Sequence, residues 1–166
     1  MRVLGIDCGT QFTGFGVVET DAAGKLCAII SGAIRLSKKE PLPQRLCTVF
    51  TELTSLMALH RPDVVAIEEV FHAVNSRTAL MLGQVRGVAL LAAATSKLEI
   101  AEYAPLAVKS AVSGYGLADK RQVQFMVTRL LELAVPPEPL DASDALAIAI
   151  CHVHHAQTRA AQGRNR

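Results

Sequence analysis

The chain has no tryptophan and only seven aromatic residues, 4% of its length. That scarcity argues against a sheet that recognises nucleic acid by stacking bases on exposed rings. Its four cysteines, Cys8, Cys27, Cys47 and Cys151, form no CxxC pair. This excludes a zinc ribbon and a disulfide framework, and fits reduced thiols. Long apolar runs are also missing. The longest stretch without Asp, Glu, Lys or Arg, from Ala145 to Thr158, is too short for a bilayer span and contains three histidines. The first residues, MRVLGID, have no apolar signal core, so a cytoplasmic protein is expected, without a membrane partner. Charge of one sign is scarce as well. The net charge is +2, and residues 151 to 166 hold three arginines and no acid, leaving 14 basic and 15 acidic groups in residues 1 to 150. A nucleic-acid partner would have to be gripped by local clusters.

What is present is apolar volume. With 51% hydrophobic residues in 166, the chain can build one core without a metal or disulfide staple. One domain over residues 1–157 is expected, followed by a polar, basic and frayed tail over 158–166. Arg2 to Asp7, Thr13 to Thr20 and Leu26 to Leu36 are β-prone segments separated by turn residues, which predicts an antiparallel meander. From Pro43 to His60 the apolar spacing becomes helical. Val64 to Ile67 reads as a strand buried on both faces. A long helix over Asn75 to Ser96, a strand over Leu98 to Tyr103, and helices over Leu106 to Val112, Asp119 to Leu133 and Asp141 to Ala156 complete the pattern. The fold class is α/β, a mixed five-stranded sheet with helices on both faces.

Asp7 ends the first strand and Glu68 follows the fourth. If those strands are neighbours, the two carboxylates converge, and keeping both ionised calls for a cation. Asp141 and Asp144 open the last helix three residues apart and so share nearly one face. A capping role is the bland alternative for that pair, with Asp141 as N-cap and Asp144 near the positive end of the helix dipole. Glu68 resists such a reading, because an unpaired charge at the edge of a buried strand is costly. Hard oxygen ligands without Cys or His nearby select Mg²⁺ or Mn²⁺. Such ions suit in-line hydrolysis of a phosphodiester, leaving a 3′-hydroxyl and a 5′-phosphate.

Three segments, Gly5-Ile6-Asp7-x-Gly9-x-x-x-Thr13-Gly14-x-Gly16-Val17-Val18, Ala66-Ile67-Glu68-x-Val70-Phe71 and Asp141-Ala142-x-Asp144-Ala145-Leu146-Ala147-Ile148-Ala149, resemble the RuvC family of Holliday-junction resolvases. Asn75-x-x-x-Ala79-Leu80-x-Leu82-Gly83-Gln84-x-Arg86-Gly87, Val108-Lys109 and Lys120-x-Gln122-Val123 match in family order and spacing, so the resemblance spans nearly the whole chain. It implies a ribonuclease-H-like fold, a homodimer, and symmetric, Mg²⁺-dependent nicking of four-way junction DNA in recombination and repair. Mn²⁺ is expected to substitute, with one or two ions per subunit. Cooperation with the RuvA–RuvB branch-migration complex and a place in the bacterial cytoplasm at the nucleoid are implied too.

By matching position, Asp7, Glu68, Asp141 and Asp144 would be the metal-binding catalytic acids, Lys109 and Lys120 would face the scissile strand, and Phe71 would stack near the junction centre. Without the family, an exposed lysine at a helix start is ordinarily solvated surface. Cys8 departs from the proline usual in the family, which removes a φ constraint from the turn after Asp7. Gly83-x-x-x-Gly87 lies within the long helix, where two glycines cost about 1 kcal/mol each and point to a close neighbour, a dimer mate or the sheet. Two rivals are similar here, the first over Gly5–Thr10 and the second around Gly5–Val18. An ATP-binding domain of the actin, Hsp70 and sugar-kinase type would need a second domain, and a YqgF-like RNA-processing nuclease matches less well at Glu68–Phe71 and Asp141–Ala149.

Overall fold

The structure is a computed structural model that describes residues 1–69 and 75–163. Three strands open the chain: β1 (Arg2–Asp7), β2 (Phe12–Thr20) and β3 (Leu26–Arg35). Helix α1 (Leu42–His60), β4 (Val64–Glu68), α2 (Ser76–Thr95), β5 (Glu99–Tyr103), α3 (Pro105–Ser113), α4 (Lys120–Leu130) and α5 (Leu140–Gly163) follow. The sheet order is β3-β2-β1-β4-β5. β1 to β3 pair antiparallel, whereas β4 and β5 join in parallel, so the expected mixed five-stranded sheet is the one observed.

Strand alternation sorts the core into two layers. Val3 of β1 and Ala66 of β4 face the cluster built by α3, α4 and α5, with Leu146, Val112 and Val127. Leu4, Ile6, Val65 and Ile67 face the opposite cluster with Val49 and Leu53 of α1 and Val85 and Ala89 of α2. β1 and β4 are thus covered on both sides, which explains their unbroken apolar runs. Full burial of each Leu, Ile or Val in these layers contributes about 1.5–3 kcal/mol.

α5 is the central helix. Eleven of its residues between Ala142 and Val153 are buried, since it lies on β1 and β2 with one side and under α3 and α4 with the other. It comes close because the sheet beneath it has glycines. A Cβ on Gly5 would run into the backbone of Ala145 and Ala149, and one on Gly14 would run into the Asp141 carbonyl.

Three boundaries differ from the sequence pattern. α4 ends at Leu130, because Glu132 takes a left-handed φ of 51° and turns the chain before Leu133. α5 opens at Leu140, so Asp141 stands inside its first turn and is not the N-cap. The same helix continues through Gly163, well past Ala156, because the polar segment after it is rich in alanine and glutamine and has no breaker until that glycine.

Candidate active site

Alternation along β1 and β4 also aims the acids. Asp7 has the parity of Val3 and Gly5, and Glu68 that of Ala66, so both project toward α5. The parallel register pairs Ile6 with Ile67, which sets Asp7 and Glu68 one step further at the same sheet edge. On the other side of β1, Asp7 pairs with Gly14 of β2, directly under Asp141. One turn along α5, Asp144 enters the same space.

Asp7, Glu68 and Asp144 line one cleft of about 230 Å³, together with Pro105, Val108 and Lys109 of α3, Lys120 and Val123 of α4, and Ala147. Asp141 stands beside the cleft above Gly14 and does not line it. Five of the seven residues expected at a functional site therefore line this cleft, and Asp141 adjoins it. Phe71 lies outside the described residues. Among the described residues no three metal-ligating side chains stand close enough to enclose an ion as they are placed. The Lys120 ammonium sits instead on the Asp144 carboxylate, in direct ion-paired contact.

The electrostatics follow from that crowding. Burial, then the charges of Asp144 and Glu68, push the Asp7 carboxyl up to about 7, while Lys120 pulls the other way. Glu68 is raised by burial and by Asp144, against the opposing charges of Lys120 and Lys109. Burial acts to lower Lys120, but the hydrogen bond to Asp144 and the charges of Asp144, Asp7 and Asp141 prevail and raise it. A cleft with this balance lacks positive charge, and a divalent cation or a second ammonium is what it would attract.

Local structure holds these groups still. Lys120 is the first residue of α4, fixed by a reciprocal capping box in which Gln122 N–H donates to Asp119 Oδ1 at 2.9 Å and Asp119 N–H donates to Gln122 Oε1 at 2.8 Å. Lys109 lies on α3, which starts at Pro105 and ends at Gly114 with a left-handed φ of 72°. Cys8 is buried in the α1–α2 layer, and burial plus the neighbouring Asp7 pushes its thiol up to about 12. It anchors the turn by packing, where a proline would do so by its ring.

Two positioning residues are not among those the sequence pattern singles out for a role. Arg86 of α2 donates from Nε to the Glu68 carbonyl at 3.3 Å and pairs with Glu102 of β5, clamping the end of β4. Its place in the Asn75–Gly87 motif is the available signal. Gly14 is the second, and its signal is its alternation with Gly16 opposite Asp7 on the facing strand.

The sequence profile of the family described as "Crossover junction endodeoxyribonuclease RuvC" matches residues 3–152. A relative of that description from Koribacter versatilis is 59% identical over 158 residues, covering 95% of each chain. A solved structure of Thermus thermophilus RuvC superposes with a TM-score of 0.86 at 34% identity, over 96% of this chain and 97% of that one. T. thermophilus RuvC in complex with Holliday junction substrate superposes with a TM-score of 0.87 at 31% identity, over 95% and 96%.

Proposed function

Because the chain belongs to the RuvC family of crossover junction endodeoxyribonucleases, we propose that the cleft between Asp7, Glu68 and Asp144 is where it cuts DNA. The protein is a Holliday junction resolvase, a nuclease that hydrolyses phosphodiester bonds. The observation that carries the site is the shared parity of Asp7 and Glu68 on adjacent strands, both aimed at the first turns of α5.

Asp7, Glu68, Asp141 and Asp144 would hold Mg²⁺, with Mn²⁺ as a substitute and one or two ions per subunit. The donor set fits: every candidate ligand is a carboxylate oxygen, no Cys or His among the described residues lines the cleft, and burial and mutual repulsion, which a divalent ion offsets, raise the proton affinity of two of the acids. When bound, such an ion supplies Lewis-acid charge and a water of lowered pKa. The chain's own residues do the rest. Lys120 draws the proton affinity of Asp7 and Glu68 down, against burial and the neighbouring acids. Lys109, which also lines the cleft, would meet the scissile phosphate. Phe71 would stack near the junction centre. The products would be 5′-phosphate and 3′-hydroxyl ends.

The outer face of α2 supports a homodimer. Gly83 and Gly87 have none of the described residues within 4 Å of a Cβ position, and Leu80 and Leu91 are 65% and 54% exposed. Composition alone makes α2 apolar enough to cross a bilayer, yet Val85, Ala89, Ala92 and Ala93 are buried on its inner side and Arg86 is ion-paired. One helix face is thus core and the other fits a second copy of itself, which would set two clefts against two strands. Cooperation with the RuvA–RuvB complex at the bacterial nucleoid belongs to the same reading.

Incision of a labelled four-way junction, with linear duplex as control and with Mg²⁺, Mn²⁺ or EDTA, tests the proposal. Paired nicks at symmetric positions in both metals and none in EDTA are expected. Equal cutting of linear duplex, or cutting in EDTA, would refute it.

A further inference from the structure

A second polar pocket, of about 320 Å³, opens on the α1–α2 side of the sheet edge and is lined by Thr10, Gln11, Lys38, Arg45, Arg77, Thr78 and Met81. Among the described residues that line it are three cations and no acid. Arg45 is the unusual member, only 7% exposed in the first turn of α1. Its guanidinium donates to the Thr10 carbonyl and touches the Met81 sulfur at 3.7 Å, while its Nε is buried without a hydrogen-bond partner among the described residues. Among the described residues no carboxylate pairs with Arg45, and residues 70–74 and 164–166 contain no Asp or Glu.

Burying a guanidinium without a carboxylate partner is costly, so a position with that role alone would favour a neutral donor. Holding one carbonyl needs only an amide. The full charge makes sense when an anion arrives to share it. The same pocket receives the N-terminal turn of α2, whose positive end is capped by Asn75, with Arg77 and Thr78 facing the pocket. Lys38, in the loop after β3, adds a third charge to the lining.

We propose that this pocket binds a backbone phosphate of the junction DNA other than the one being cut, with Arg45 as its base and Arg77 and Lys38 as its arms. The proposal rests on the resolvase reading above. Thr10 is three residues beyond Asp7, at most roughly 11 Å along an extended chain, so the bound phosphate belongs to DNA adjacent to the cleavage cleft. The Arg45 contact with Thr10 also ties the pocket to the turn that carries Asp7. Arg45 is a positioning residue, because it touches neither the scissile phosphate nor a group that reacts with it.

The test uses the full-length protein and the double variant Lys38→Ala with Arg77→Ala, neither of them a core position. Junction affinity is measured in EDTA across a range of salt. The variant is expected to bind about tenfold more weakly, with the slope of log K against log salt shallower by about one. A second measurement replaces junction phosphates one at a time by uncharged methylphosphonates. One position near the cut should weaken wild type and leave the variant unaffected. Unchanged affinity and slope in the variant, or no position with that coupling, overturns the pocket. Wild type that neither binds nor cuts the junction would defeat the resolvase reading itself, a result distinct from either of these.

Discussion

Replacing Asp7 by asparagine removes a charge that the folded protein tolerates poorly, so the variant should be more stable than wild type while losing activity. The Asp7 carboxyl is raised from 3.8 to about 7 by burial and by the charges of Asp144 and Glu68. Between those values the folded chain holds a proton that the unfolded chain has released, so stability falls as pH rises from about 4 and levels off above about 7. A rise of that size corresponds to about 4 kcal/mol, and relaxation around the site brings the expected figure to about 2–4 kcal/mol. A neutral amide in the same place would carry no such penalty. Urea unfolding in EDTA should therefore give equal stabilities near pH 4 and a variant more stable by about 2–4 kcal/mol at pH 8. Mg²⁺ at about 100 times its dissociation constant should raise wild type by about 2.7 kcal/mol at pH 8 and the variant by less. A variant less stable than wild type at pH 8, or an advantage of the same size at both pH values, would refute the reasoning.

Gly14→Ala should push the first turn of α5 off the sheet and reduce cutting far more than junction binding, since its Cβ meets the Asp141 carbonyl; single-turnover rates and binding constants check this. Gly5→Ala wedges the same helix deeper in the core and should cost about 1–3 kcal/mol or more in urea unfolding. Lys120→Met removes the cation that lowers the proton affinity of Asp7 and Glu68, so the rising limb of the pH–rate profile should move to higher pH. Leu80→Asp with Gly87→Glu, both on the open face of α2, should yield a folded monomer by light scattering and abolish paired nicking.

Much of this site is legible in the sequence because strand parity is a rule of two. The positions of Asp7 and Glu68 at the ends of β1 and β4 fix their direction once the strands are neighbours. Lys120 is legible through the family motif, and its Asp119–Gln122 capping box adds a local reason for its position. Asp141 is harder: an acid before an apolar helix looks like a cap, and only the actual start at Leu140 puts it in the first turn. The closeness of α5 depends on what Gly5 and Gly14 lack, a tertiary fact that single-residue preferences do not carry. Arg45 is invisible at that level, because an arginine early in an amphipathic helix normally faces water, and its burial arises from the turn after β1 folding over it. The extension of α5 to Gly163 escapes a reading based on polarity, which predicts fraying, whereas alanine-rich polar segments continue helices readily.

The central claim is that the carboxylate cleft cuts the junction while other surfaces bind it. Its most direct test measures junction affinity and Mg²⁺-dependent incision side by side for wild type and Asp7→Asn. Affinity within a few-fold of wild type, with cutting reduced by several orders of magnitude, is the predicted result, since metal-binding acids act in the transition state more than in binding. An Asp7→Asn protein that still makes paired nicks at the wild-type rate would contradict the account.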